Sequence, residues 1–586
     1  MVRRKKLLSG VLLLSGMLCT GRVMAQQWLY KQAAVPIEYR VKDLLGRMTI
    51  EEKVGQLCCP LGWEMYTKTG KNEVTVSELY KKKMAEAPVG SFWAVLRADP
   101  WTQKTLETGL SPELSAKALN ALQKYAVEET RLGIPVDFSN EGIHGLNHTK
   151  ATPLPAPIAI GSTWNCDLVY QAGTIAGQEA RALGYTNVYA PILDVVRDPL
   201  WGRTLECYGE DPYLIASLGA EMVKGIQSQG VASTLKHYAV YSVPKGGRDG
   251  NCRTDPHVAP RELHQLYLYP FKKVIQEAHP MGVMSSYNDW DGVPVTASYY
   301  FLTELLREEY GFDGYVVSDS EAVEYVQTKH HVADTYDEAV RQVLEAGLNV
   351  RTHFTKPVDF ILPIRRLLEQ KKISMATIDK RVAEVLSVKF RLGLFDHPYI
   401  ENVKEADKVG GVNRNMDFVK QIQRESLVLL KNEGNLLPLD KKKIKKVLVT
   451  GPLADESNFM ESRYGPNRLE KVTVLQGLRN YLKGIAEVDY AKGCDVINQG
   501  WPSTEILPEP LSDTEKSDIR NAVDKALDCD VIIAVLGEDE YRTGESRSRT
   551  SLDLPGRQQE LLEALHATGK PVVVVLINGQ PLTINW

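Results

Sequence analysis

GFDGYVVSDSEAV, residues 311–323, has the pattern of a buried strand that is followed by an acidic residue. A short run of apolar, β-branched residues ends at Ser318, and the carboxylate of Asp319 follows immediately. Such a run is typical of a strand that is buried on both faces, as in a parallel sheet. Because functional groups in parallel sheets gather where the strands end, we expect Asp319 to stand at the edge of a ligand pocket.

The same alternation of an apolar run and a longer amphipathic stretch recurs between residues 89 and 353. We predict strands at residues 89–95, 135–140, 187–195, 231–237, 282–287, 314–318 and 348–352. Helical patterns of crossover length lie between them, at residues 111–131, 167–183, 212–229 and 299–310. About eight strand–helix units predict a parallel sheet closed into a (β/α)8-like TIM barrel.

The ends of the predicted strands are polar. They carry Glu141, Arg197 with Asp198, Lys236 with His237, Tyr287 with Asn288, and Asp319. Any one of these residues could instead cap the helix that follows or end its strand in solvent. Because a barrel places all of its strand ends on one face, the whole set favours a single pocket.

A second domain of a different pattern follows the barrel. Residues 396–415 are polar, punctuated by Pro and Gly, and predict a linker. A helix at 416–430 and strands at 447–450, 531–537 and 572–578 then predict an α/β sandwich. The chain stops at Trp586, directly after a strand-like run, so we expect the sandwich to be incomplete. We therefore divide the chain into a barrel at 26–395, a linker at 396–415 and a sandwich at 416–586.

The N-terminus has the features of an export signal. Basic residues from Arg3 to Lys6 precede an apolar stretch at 7–18 and a small-residue cleavage site that ends at Ala25. We predict a signal peptide at 1–25 and a secreted or periplasmic protein. A lipoprotein anchor at Cys19 is disfavoured, because the residue before that cysteine is not small. No later apolar run reaches about 20 residues, so no membrane span is expected after cleavage.

Composition excludes several classes of protein. With 43% hydrophobic residues, 25% charged residues and a net charge of -4, the chain is globular and is not expected to bind nucleic acid. The seven cysteines that follow the signal are scattered, without a C-x-x-C pair, which argues against a disulfide framework or structural zinc. Glu141, His144 and His148 have metal-like spacing but no H-E-x-x-H motif, so neither metal nor cofactor is expected.

Two carboxylates are candidates for glycosidic chemistry. Retaining hydrolysis uses two carboxyl groups about 5 to 5.5 Å apart, one as nucleophile and one as general acid/base. Asp319 ends a buried strand, and Glu545 lies in GEDEYRTGESRSRTSLDLPG, a polar loop after the strand at 531–537. From the residues alone, Asp319 could equally be a helix N-cap and Glu545 a solvated loop residue.

Six segments of the chain resemble the glycoside hydrolases of family 3. They are NEGIHG at 140–145, RDPLWGRTLECYGEDP at 197–212, KHY at 236–238, MGVMSSYN at 281–288, the segment around Asp319 and the loop that carries Glu545. The resemblance implies a barrel followed by an α/β sandwich, with the active site between them. It also implies that Asp319 is the nucleophile and Glu545 the acid/base, that Glu141 binds sugar hydroxyls, and that the sugar subsite is lined by Arg197, Lys236, His237 and Tyr287.

The implied activity is that of a retaining, exo-acting β-glycosidase on oligosaccharides or aryl and alkyl β-glycosides. Many relatives that act on glucosides have aspartate where this chain has Glu141. Since glutamate is one methylene longer, we expect β-D-xylosyl units of plant-type oligosaccharides to be preferred over β-D-glucosyl units. A glucoside preference and a non-catalytic periplasmic sugar-binding protein are the alternatives. The loop after KHY shows no clear Asp-His pair, which disfavours an N-acetylglucosaminidase, and the oligomeric state is left open.

Overall fold

The computed structural model describes residues 28–97, 102, 104, 107–244, 254–409, 412–458, 464–466, 471–497 and 510–586. The predicted signal peptide, residues 1–25, lies outside these described residues. Within them, no helix combines the length and the apolar character that crossing a bilayer requires.

Among the described residues, eight short parallel strands form the first sheet. They are β1 Cys58–Pro60, β2 Ser91–Trp93, β3 Asp137–Glu141, β4 Asn187–Tyr189, β5 Ala232–Tyr238, β6 Gly282–Ser285, β7 Tyr315–Ser318 and β8 Arg351–His353. Strands β2 to β7 pair in sequence order, and β1 pairs with β8. Parallel bridges from Leu61 to Trp93 and from Val317 to Val350 join the two sets. The ring is therefore closed, and the predicted (β/α)8 barrel is confirmed.

Helices separate successive strands and cover the barrel. The main ones are Glu78–Glu86, Pro112–Glu128, Cys166–Leu183, Pro212–Gln227, Tyr269–Ala278, the π-helical Tyr300–Glu309, Tyr336–Ala346, Val358–Glu369 and Met375–Arg391. The sequence supplies their start signals. At Pro112–Glu128, the Ser111 side chain accepts a hydrogen bond from the backbone N–H of Leu114, and proline occupies the first position.

The predicted strand at 187–195 is much shorter in the structure, where β4 ends at Tyr189. Pro191 has no backbone N–H to donate, so it interrupts the hydrogen-bond ladder shortly after the strand has begun. The apolar residues that follow are buried in a loop above the barrel. This loop carries Asp194 to the carboxyl end of the neighbouring strand β5.

The segment predicted as a linker, 396–415, has some helical structure. It contains a 3-10 turn at Val403–Glu405 and a short helix at Ala406–Val409. Its backbone contacts the barrel helix Pro112–Glu128, since the Asn120 amide donates to the carbonyl of Ile400 at 2.8 Å. The helix predicted at 416–430 runs over Val412–Glu425, and residues 427–430 after it are exposed.

A second, four-stranded parallel sheet follows. Its strands, β9 Lys446–Thr450, β10 Glu487–Ala491, β11 Val531–Gly537 and β12 Val572–Ile577, lie in the order β10-β9-β11-β12. Helices Asp513–Leu527 and Gln558–His566 contribute to the apolar cluster on one face, and helix Val474–Tyr481 contributes to the cluster on the other. Apolar clusters on both faces explain the continuous apolar sequence of β11. The predicted α/β sandwich is therefore confirmed.

Candidate active site

A cavity lies at the carboxyl ends of the barrel strands, beneath a loop from the second sheet. It is lined by Trp93, Glu141, Tyr189, Arg203, Lys236, His237, Met284, Tyr287, Asp319, Ser320, Thr352, Tyr464 and Glu545. The barrel topology accounts for the convergence, because residues far apart in sequence stand on neighbouring strand ends. Of the sequence-predicted site residues, the structure brings together Glu141, Lys236, His237, Tyr287, Asp319 and Glu545.

Asp319 directly follows β7 and is fixed by two donors to one oxygen. Its Oδ1 accepts hydrogen bonds of 2.7 Å from the Tyr287 hydroxyl and 2.7 Å from the backbone N–H of Ser320. Burial raises the pKa of Asp319 to about 6, and the nearby Glu545 carboxylate adds to the rise. The charges of Arg203 and Lys236 and the Tyr287 hydrogen bond act in the opposite direction. The carboxyl group is therefore ionised above about pH 6.

Glu141 and Lys236 form a buried ion pair on one wall of the cavity. The Lys236 ammonium donates to Glu141 Oε2 at 2.6 Å, and both side chains are almost fully buried. They stand at the ends of β3 and β5, which are held apart by β4 alone. An ammonium and a carboxylate side by side offer both donors and acceptors, which suits a polyhydroxylated ligand.

His237 is oriented by a carboxylate behind it. Its Nδ1 lies 2.8 Å from Asp194 Oδ2, and its Nε2 lies 3.7 Å from Asp319 Oδ2. Burial, together with the charges of Arg203 and Lys236, holds the pKa of His237 well below its usual value. The imidazole is therefore neutral at physiological pH.

The loop that carries Glu545 is seated on the barrel by backbone contacts. The Gly544 N–H donates to the carbonyl of Gly202 at 2.7 Å, and the Arg549 N–H donates to the carbonyl of Leu200 at 2.8 Å. A Cβ atom on Gly202 would lie 2.3 Å from the Gly544 carbonyl oxygen. Only glycine therefore permits this close approach of the two chains.

Glu545 itself is buried and held through both oxygens. The Tyr464 hydroxyl donates to Oε2 at 2.6 Å, and Arg203 Nη1 lies 3.3 Å from Oε1. Arg203 is in turn fixed by Glu206, whose two oxygens lie 3.0 and 2.7 Å from its Nε and Nη2. The cavity is thus lined by Asp319 from the barrel and by Glu545 from the second domain.

Arg197 is not at this cavity, so the prediction that it lines the sugar subsite does not hold. Its side chain is 47% exposed, and its Nε lies 3.9 Å from Glu262. Arg197 follows the buried loop above β4, where the chain turns outward to solvent. The guanidinium in the cavity belongs to Arg203, six residues later, on the 3-10 turn Gly202–Glu206 that folds back beneath the Glu545 loop.

Sequence reasoning missed three residues that hold Glu545 or His237 in place, namely Arg203, Tyr464 and Asp194. Arg203 and Asp194 lie in or beside the segment RDPLWGRTLECYGEDP, so their neighbourhood was recognised and their side chains were not. Tyr464 stands alone in a polar stretch with no periodic pattern. Nothing local to Tyr464 indicates that it meets Glu545, which is 81 residues away in sequence.

Two family models cover most of the chain. Residues 49–388 match the N-terminal domain of glycosyl hydrolase family 3, and residues 427–586 match its C-terminal domain. Curated relatives include a β-xylosidase of Formosa agariphila, 34% identical over 83% of this chain and 68% of that protein. A periplasmic β-glucosidase of Salmonella typhimurium is 32% identical over 93% of this chain and 68% of that protein.

Solved structures agree with the sequence relatives. A β-glucosidase from Erythrobacter marinus superposes with a TM-score of 0.82 at 31% identity, covering 94% of this chain and 73% of that one. A β-glucosidase from Listeria innocua, solved with isofagomine, superposes with a TM-score of 0.76 at 28% identity, covering 93% and 70%.

Proposed function

The chain belongs to glycosyl hydrolase family 3, and we propose that it is a retaining, exo-acting β-glycosidase that releases β-D-xylosyl or β-D-glucosyl units from the non-reducing ends of oligosaccharides. One observation carries the proposal. Two carboxyl groups that are mostly or fully buried, Asp319 and Glu545, come from different domains and line the same cavity. Retaining hydrolysis requires such a pair on either side of one glycosidic bond.

In this proposal the reaction takes two steps. The Asp319 carboxylate attacks the anomeric carbon, while Glu545 gives its proton to the departing oxygen, so that a glycosyl ester and a free alcohol form. Glu545, now ionised, then takes a proton from a water molecule that attacks the same carbon, and the bond from that carbon to the Asp319 ester oxygen breaks to release the Asp319 carboxylate. The sugar leaves with its original anomeric configuration, and both carboxyl groups return to their starting protonation states.

The surroundings of the two groups support this division of roles. Asp319 accepts hydrogen bonds from Tyr287 and Ser320 and lies in the positive field of Arg203 and Lys236, which favours its ionised form. Glu545 stands on the other domain, where the leaving group of a sugar bound against the barrel would emerge. The buried Glu141–Lys236 pair forms part of the cavity wall, and we propose that it closes the cavity behind a terminal sugar, as exo action requires.

Trapping of the covalent intermediate tests the proposal. Incubation with a 2-deoxy-2-fluoro xyloside or glucoside that has a good leaving group is expected to inactivate the enzyme with a mass increase of one fluorosugar. Peptide mapping should place the label on Asp319. A label on another carboxylate, or turnover with inversion of configuration, would contradict the proposed mechanism.

We propose that Glu141 biases the enzyme toward xylosides. Its Oε2 is held at 2.6 Å by Lys236, so the side chain cannot swing away to admit the hydroxymethyl group of a glucoside. In Glu141→Asp, the ratio of kcat/KM for nitrophenyl xyloside over nitrophenyl glucoside should fall roughly tenfold or more, since one methylene in a pocket is worth about 1 to 3 kcal/mol. Glu262→Asp, at the partly exposed partner of Arg197, is the matched control and should leave the ratio unchanged. A wild-type enzyme that prefers glucoside would overturn the argument.

Tyr287→Phe is expected to move the acidic limb of the pH–kcat/KM profile upward. The lost hydroxyl donates to Asp319 Oδ1 and favours the ionised form, so its removal raises the pKa of Asp319 above the present value of about 6. Because the ionised form is the nucleophile, activity should then fail at a higher pH than in the wild type. A limb at the same pH in both proteins would exclude Asp319 as the group that titrates there.

We propose that the enzyme is exported to the periplasm by the predicted signal at 1–25, and that the domains divide at 26–395, 396–415 and 416–586. The periplasmic relative from Salmonella supports the first statement. The limits of the two family models, 49–388 and 427–586, support the second. Cell fractionation and N-terminal sequencing of the mature protein test the location, and limited proteolysis tests the division.

A further inference from the structure

We propose that Asp194 is a positioning residue that fixes His237 as the Nδ1–H tautomer, so that an unprotonated Nε2 faces the sugar. This inference deepens the proposed glycosidase function and rests on it. Asp194 is not among the residues that line the cavity, so it acts through His237, which is. A carboxylate behind an imidazole is a recurring way to set which ring nitrogen carries the proton.

The contact between Asp194 and His237 is short and shielded from solvent. One oxygen, Asp194 Oδ2, lies 2.8 Å from His237 Nδ1 and also accepts the backbone N–H of His237 at 3.3 Å. Both side chains are only 1% exposed. Because the same Asp194 oxygen contacts both the ring and the backbone of His237, it fixes the orientation of the imidazole in the cavity wall.

Burial is the main cause that keeps the imidazole neutral, and the positive charges of Arg203 and Lys236 lower its pKa further. Arg203 and Lys236 lie near it, the Tyr241 ring packs edge-on at 5.2 Å, and Asp319 faces its far side. A neutral imidazole has one N–H, and burial raises the pKa of Asp194, the group that faces Nδ1, to about 7. Above that pH Asp194 is a carboxylate that can only accept hydrogen bonds, so the ring proton belongs on Nδ1. Nε2 then carries a lone pair.

The far side of the ring is consistent with this assignment. Nε2 stands 3.7 Å from Asp319 Oδ2, which is too long for a hydrogen bond. In the proposed tautomer both atoms are acceptors, so Nε2 can accept a hydrogen bond from a substrate hydroxyl while the Asp319 carboxylate remains available for attack on the anomeric carbon. A sugar hydroxyl that donates to Nε2 would be placed beside the nucleophile without an N–H competing for the Asp319 carboxylate.

The tautomer can be observed in the wild-type enzyme. In a ¹H–¹⁵N correlation spectrum of enzyme labelled with ¹⁵N-histidine, the His237 signal is identified by its absence from His237→Gln. In a spectrum recorded above pH 7, where Asp194 is ionised, we expect the protonated nitrogen to be Nδ1 and the bare one Nε2. The opposite pattern overturns the proposal whether or not the protein is a glycosidase, so its failure is separate from failure of the proposed function.

Asp194→Asn supplies the functional test. An amide that donates to Nδ1 drives the proton to Nε2, where it can hydrogen bond to Asp319. We expect kcat/KM on an aryl glycoside to fall roughly 10²-fold and its acidic limb to move to lower pH, because the new donor favours ionised Asp319.

A double variant separates this effect from loss of charge or fold. In a His237→Gln background, Asp194→Asn should lower kcat/KM no further and leave the acidic limb where His237→Gln puts it. Additive losses, or the same shift of the limb with and without the histidine, would show that Asp194 acts by charge or by structure and would overturn the proposal. If the Asp194→Asn protein does not fold, the spectrum of the wild-type enzyme decides whether the proposal holds.

Discussion

Asp319→Asn is expected to lower kcat by on the order of 10⁴-fold or more on every glycoside that the wild type cleaves, because an amide cannot form the glycosyl ester. The fold should survive, since asparagine keeps the size of the side chain and can still accept the hydrogen bonds from Tyr287 and Ser320. The change is measured as kcat on nitrophenyl glycosides, with the thermal unfolding midpoint taken in parallel.

Asp313→Asn is the matched control, because Asp313 lies in the same segment and pairs with Arg391 at the protein surface. An exposed ion pair contributes little, so the control should retain wild-type activity. Sugar binding by Asp319→Asn also decides between catalysis and binding. If the wild type turned over no glycoside while the variant bound sugars equally well, the sugar-binding alternative would replace the enzyme.

Glu545→Gln is expected to show a loss that depends on the leaving group. A glutamine cannot protonate the departing oxygen, and general acid catalysis contributes typically 10²- to 10⁴-fold. Oligosaccharides and alkyl glycosides should therefore lose activity near the upper end of that range. A dinitrophenyl glycoside, whose leaving group needs no proton, should still form the glycosyl-enzyme rapidly, as a burst of released phenol.

Added azide sharpens this test, since a small anion needs no general base to attack the glycosyl-enzyme. Turnover of the dinitrophenyl glycoside by Glu545→Gln should rise with azide and yield a β-glycosyl azide. Glu563→Gln, on the exposed side of helix Gln558–His566, is the control and should show neither effect. An equal loss on all substrates without azide rescue would remove Glu545 from the acid/base role.

The sequence was most informative where a strand is apolar and ends in a polar residue. Strand β7 with Asp319 and strand β5 with Lys236 and His237 could be placed from the pattern alone. Strand β1 could not, because Cys58–Pro60 has three residues and its closure of the ring depends on pairing with β8, almost 300 residues later. Strand β10 was missed because an edge strand with the sequence EVDYA mixes charged and apolar residues.

Side chains outside regular strands were harder to assign. Arg197 and Arg203 lie in one motif, and both are arginines that follow β4. Which of them enters the cavity is decided by the 3-10 turn Gly202–Glu206 and by the loop of the other domain packed on it. Neither determinant is local to the motif, so composition and spacing could not distinguish the two residues.

Because the backbones of Gly202 and Gly544 approach so closely, turnover depends on the alignment of the two domains. The two carboxyl groups stand on two domains, and contacts between residues 200–203 and the Glu545 loop hold these domains in register. A substitution that adds one methyl group at this contact, Gly202→Ala, is expected to abolish activity while both domains stay folded. Loss of activity in this protein therefore does not imply unfolding.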